Sequence, residues 1–236
     1  MPCCARACAG WSFKAVKGGA LRLYLRLICV QVRSQLQYRG AFVLDSLATG
    51  LSVLIGFISL ALIFDRFQAV GGWSLAEVAF LYGMVEISFG FMDMLFSGFD
   101  PDTFGVMVHR GTFDQLLLRP VNIVLQVLGS QFIVRRLGRI AQGAAVFALA
   151  VGLLDVHWTA AKLLYLPVVL LSLVCFFGGL FIIGATITFW TVQRVEVINI
   201  FTYGGSEMMS YPMHIYHDWL RRFFTFIVPA IFLNYY

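Results

Sequence analysis

Four stretches of this chain, Ala41 to Phe64, Leu75 to Phe99, Ile140 to Val156 and Leu163 to Phe189, stay apolar for close to the roughly 20 residues a helix needs to cross a bilayer. Runs of that length cannot all be hidden inside a chain of 236 residues that is 60% hydrophobic and 12% charged. Lipid must be the solvent. A fifth stretch, Val195 to Met213, is long enough to span but carries Asn199, Thr202, Ser206 and Glu207. None of the five alternates with a period of two, so all are expected as helices. The first lacks a small-residue cleavage site behind it and is longer than a signal-peptide core, so it is expected to stay in the mature chain.

Basic residues near the ends of spans are retained on the cytoplasmic side. Before Ala41 stand Arg6, Lys14, Lys17, Arg22, Arg26, Arg33 and Arg39, with no acidic residue among them. The N-terminus is therefore expected inside. Alternation then puts Asp65 to Ser74 and Asp155 to Lys162 outside with one basic residue each, and Asp100 to Arg139 inside with five. Arg221 and Arg222 run against this parity, and the earlier loops outvote them. The net charge of +5 is this cytoplasmic set, so it gives no reason to expect a nucleic-acid partner.

Within residues 21 to 40, Arg22, Arg26, Arg33 and Gln37 share one helical face, while Leu23, Leu27, Val30 and Tyr38 populate the rest. The pattern predicts a basic amphipathic helix lying in the membrane interface against anionic lipid. Residues 1 to 20 carry Cys3, Cys4 and Cys8 without helical period and are expected to be poorly ordered. With Cys29 and Cys175 these cysteines match no zinc or CxxC spacing. The remainder, 41 to 236, reads as a single membrane domain without internal repeat, with an outer or re-entrant segment over 214 to 236.

The segment FDPDTFGVMVHRGTFDQLLLRPVN follows the second span. Asp100 before Pro101 signals a helix start. Gly111 breaks the run, Thr112 with Gln115 has the form of a capping box, and Pro120 stops the second helix. Phe113, Leu116 and Leu117 make an apolar stripe at i, i+3, i+4. The RGTFDQLLLRP portion resembles the intracellular loop of ATP-binding-cassette exporter permeases of the second type, where Arg-Gly-x-x-x-x-Leu-Leu-x-x-Pro recurs. The order of elements is also similar, from the basic amphipathic helix to the late segment YPMHIYHDWLRRFFTFIVPAIFLNYY, so the likeness runs from about residue 21 to 236. Members of that family have a sixth span, which would begin where this chain stops at Tyr236, and the C-terminus reads as truncated.

The resemblance implies an all-α integral membrane permease in a bacterial inner membrane, N-terminus cytoplasmic, with five transmembrane helices visible here. It implies that the loop of residues 101 to 120 is a coupling helix docking into a groove on a separate ATPase subunit. Arg110, Gly111, Phe113, Asp114, Leu116, Leu117, Arg119 and Pro120 are then the contact residues, with Phe113, Leu116 and Leu117 as anchors. A second permease chain, identical or related, is expected beside it. ATP and magnesium belong on the ATPase, and no cofactor or metal is expected in this chain. Its lysines, Lys14, Lys17 and Lys162, follow Phe, Val and Ala, so no phosphate-binding loop is present. Nor is there an HExxH or GxSxG motif, and His214, His217 and Asp218, though at a metal-like spacing, read as an exposed aromatic loop.

A competing class, an ion-coupled secondary transporter or channel, rests on Asp45, Glu77, Glu86 and Asp93 in or near the first two spans. Glu86 and Asp93 are seven apart, share a face, and are the candidates for a substrate path. Against ion coupling, Asp45 and Asp93 lie near cytoplasmic ends where they can be hydrated, and the sequence shows neither a basic partner nor an inverted repeat.

Overall fold

The computed structural model describes residues 20–67, 72–154, 159–191, 196–212 and 215–226. Expectations for residues 1 to 19 with their three cysteines, for His157, His214 and Arg194, and for the tail from 227 lie outside the described residues.

Helix α1 (Ala20–Leu36) ends in a turn at Gln37 and Tyr38, and α2 (Arg39–Phe67) starts at once, its Phe42 amide donating to the Tyr38 carbonyl. At 1.5 Å per residue its 29 residues reach about 43 Å, more than a hydrocarbon core. Helix α3 (Leu75–Phe96) opens with a capping box, in which Ser74 accepts from the Glu77 amide and Glu77 reaches back to the Ser74 amide. That explains Glu77, an acidic residue at a helix start where the dipole favours it. A 3-10 turn at Ser97–Phe99 then bends the chain into α4 (Pro101–His109). Short helices α5 (Thr112–Leu117) and α6 (Ile123–Ser130) follow, then a 3-10 turn at Val134–Arg136 and α7 (Leu137–Leu153). Helix α8 (Ala160–Thr191) is unbroken apart from Pro167, tolerated near its start.

Four helical stretches among the described residues are long and apolar enough to cross a membrane: Arg39–Arg66, Leu75–His109, Val134–Leu153 and Ala160–Thr191. The second is the axis of the molecule. Of its most apolar window 72% is buried, against 11% for the first, so α3 is wrapped by the others while α2 turns most of its surface outward. Glycines set the closest seam. A Cβ at Gly83 or Gly90 of α3 would stand 2.8 Å from Phe147 or 2.6 Å from Ile140 of α7, so the two antiparallel helices approach backbone to backbone. On the other side Phe89 of α3 meets Phe177 of α8 edge-on at 5.3 Å. Tyr82 ties α3 to α2 by donating to the Val53 carbonyl at 2.8 Å.

The fifth apolar stretch is helical from Glu196 to Met209, with a π-segment in its middle. From Glu196 it runs as α9 (Glu196–Asn199), a π-turn at Ile200–Gly204 and α10 (Gly205–Met209), and so is shorter than the span expected over 195 to 213. It still links the two ends of the bundle. Asn199 donates to Asp102 at 3.3 Å, while Tyr211 packs near Leu60, Phe64 and Val78 at the opposite end. Thr202, Ser206 and Ser210 all send their hydroxyls to their own helix backbone, which is how a polar-spotted segment stays inside. Helix α11 (Asp218–Phe226) doubles back along it: Phe223 stacks on Phe201 at 5.8 Å, and Asp218 is paired with Arg221 at 2.9 Å.

Candidate functional site: the loop between α4 and α7, and an ion-pair ladder

The sequence dictates the local path of the loop. Asp100 caps α4 by accepting from the Thr103 amide, with Pro101 in the first turn, as expected of the Asp-Pro pair. At the other end Gly111 takes φ of 67°, a conformation costly for a residue with a Cβ, and reverses the chain into α5. The expected capping box does not form. Gly111 occupies the cap position, and the Thr112 hydroxyl donates instead to the Met107 carbonyl at 2.9 Å, satisfying the end of α4 rather than the start of α5.

The apolar stripe of α5 is split between two environments. Phe113 sits edge-on to Phe104 at 5.4 Å and to Phe189 at 5.7 Å, and Leu116 is half-buried on the same core. These two side chains pin α5 to α4 and to the end of α8. What α5 offers outward is Leu117, 50% exposed, and Leu118, 85% exposed, flanked by exposed Arg110, Asp114, Arg119 and Pro120. Phe113 and Leu116, both partly exposed, are thus engaged in packing within the chain, while Leu118, absent from the expected set, is the most open apolar side chain of the loop.

At the base of α7 three arginines meet three carboxylates. Arg135 pairs with Asp45 of α2 at the surface. Arg136 Nε lies 2.7 Å from Asp93 Oδ2, a charge contact without the alignment of a hydrogen bond. Arg139 grips Glu86 with two bonds of 2.5 and 3.1 Å and lies over the Phe89 ring at 4.6 Å. Glu86 and Asp93 lie two turns apart on α3; Arg139 in the first turn of α7 faces the one, and Arg136, in the 3-10 turn before α7, faces the other. The reading that these carboxylates lack a basic partner is therefore corrected. Both are 2% exposed, so Asp93 is buried against Arg136 rather than lying at an open helix end. In sequence Arg136 and Arg139 belong to the basic loop of residues 100 to 139, and only the fold brings them against α3.

A bundle of helices, four of them long and apolar enough to cross a membrane, with a braced polar loop at one end, is the architecture of a multi-pass membrane protein. A family profile described as "ABC-2 family transporter protein" matches residues 51–236, and the chain belongs to that family. Comparisons with curated proteins and with solved structures gave no match.

Proposed function

We propose that the chain is the permease subunit of an ATP-driven exporter, coupled to a separate ATPase chain through the loop of residues 101 to 120 and working beside a second permease. The observation that carries this reading is the division of labour on α5. Phe113 and Leu116 fix it to α4 and α8, and Leu117 and Leu118 project from it. An exposed apolar pair rimmed by charges suits a helix-in-groove contact, the apolar pair for affinity and the charges for orientation. Because α4 continues α3 and Phe189 belongs to α8, a push on α5 reaches two spans directly.

The test is the double substitution Leu117→Ala with Leu118→Ala, in permease purified with its ATPase. Each central anchor is expected to cost on the order of 1 to 2 kcal/mol of association. Membrane insertion should be unchanged, since neither side chain supports the core. A double variant that inserts normally and still recruits a fully stimulated ATPase would return the chain to the ion-coupled class.

A further inference from the structure

Helix α6 follows the loop and gives α5 a second route into the molecule, besides its direct contacts with α4 and α8. Asn122 caps it through the Val124 amide at 2.9 Å, and it then packs on three elements. The carbonyl of Val127, a fully buried residue, sits against the backbone of Gly98, inside the 3-10 turn that ends α3. Gly129 lies under Leu27 of α1, where an added Cβ would come within 2.7 Å of that side chain. Beyond it, Gln31 donates to the Ser130 carbonyl at 2.6 Å, and the Gln35 amide donates to the Phe132 carbonyl and accepts from the Val134 amide at 3.0 Å. One residue of α6 reaches the other way. Gln126, 5% exposed, sends Nε2 to the Leu116 carbonyl at 3.3 Å and to the Val121 carbonyl at 3.0 Å.

We propose that Gln126 is a positioning residue that ties the end of α5 to α6, so that displacement of α5 is delivered to the 3-10 turn at Ser97–Phe99 and to α1. This rests on the coupling role of the loop proposed above. Two features favour it over simple packing. Both carbonyls that Gln126 holds lie outside α6, that of Leu116 in the last turn of α5, where it also accepts from the Arg119 amide at 3.2 Å, and that of Val121 in the connection, so the side chain spans two elements rather than serving its own helix. And Gln126 Oε1 is buried with no partner, so an apolar side chain of equal volume would avoid a desolvation cost that this site retains. Phe113 already anchors the start of α5 to α4 and α8, and Gln126 anchors its end to α6, so the helix cannot shift without moving both.

Gln126→Met keeps length and removes both donors, and Gln126→His keeps one. A nitroxide at Gln115→Cys, an exposed position of α5, reads its motion in full-length permease whose other cysteines are replaced by serine, reconstituted in lipid bilayers. In Gln126→Met the ratio of mobile to immobile label should rise on the order of tenfold, the worth of one buried hydrogen bond, with Gln126→His between. With the ATPase that co-purifies with the wild type, Gln126→Met should still allow ATP hydrolysis. The ATP-dependent change in distance between that label and one at Ser34→Cys on α1 should collapse, and recover in part in Gln126→His. A label as immobile in Gln126→Met as in the wild type, or an undiminished ATP-dependent distance change, overturns the proposal. If no ATPase accompanies the wild type, the coupling reading has failed on its own, and the label without ATPase still decides whether Gln126 holds α5. Should Gln126→Met not fold, Gln126→His alone gives the same two readouts at reduced amplitude.

Discussion

A carboxylate 2% exposed in a membrane bundle is tolerable only while a cation stays against it, and Glu86 has Arg139 in two-point contact. Removing one partner strands the other. Arg139→Met should therefore cost about 3 to 5 kcal/mol, whereas Arg139→Met combined with Glu86→Leu should restore most of it, because the desolvation of both charges disappears together. Thermal unfolding of the two single variants and the double in detergent measures the coupling; losses that simply add would show that the pair contributes nothing as a pair. Much at this scale was legible in the sequence. The Asp-Pro start and the Gly111 break follow from properties of the residues themselves, and both are found. The ion pairs were not legible by reading along the chain, since Glu86 and Arg139 are 53 positions apart. The Thr112 hydroxyl had two acceptors or donors within reach, and the choice between them depended on the left-handed turn at Gly111.

At the scale of elements, α5 shows what periodicity can and cannot say. The i, i+3, i+4 stripe puts Phe113, Leu116 and Leu117 together, but the structure packs the first two and exposes Leu117, which six residues of periodicity do not reveal. Phe104 and Phe189, supplied by α4 and α8, turn Phe113 inward. The fifth stretch is legible as apolar and polar-spotted, but the π-turn at Ile200–Gly204 is not, because one turn of altered backbone bonding leaves no mark on the hydrophobic period. Helix α6 gives the sharpest prediction here. A Cβ at Gly98 would run into the Val127 carbonyl, backbone against backbone, so neither side can yield by a rotamer change. Gly98→Ala should destabilise by about 1 to 3 kcal/mol. Gly152→Ala, in a helix with nothing near its Cβ, should be neutral or stabilise by roughly 0.5 to 1 kcal/mol. Equal melting temperatures for the two variants would contradict the close α3–α6 contact.

For the whole molecule, the hydrophobic pattern sufficed to establish a helical membrane bundle, since span length and lipid solvation leave few alternatives. It did not reveal that α3 is the wrapped centre and α2 the exposed flank, because in lipid both kinds of helix are equally apolar. An ATPase that drives the spans at the end of the bundle carrying α5, as proposed above, requires that end to face the cytoplasm. The most direct measurement places a photo-crosslinking amino acid at Leu118, 85% exposed, in intact cells, with a second at Leu164, 75% exposed on the lipid-facing side of α8, as control. The account predicts an adduct from Leu118, and none from Leu164, with a chain whose sequence contains a phosphate-binding loop. Adducts from Leu118 to lipid or to the permease alone, with the ATPase expressed in the same cells, would contradict it.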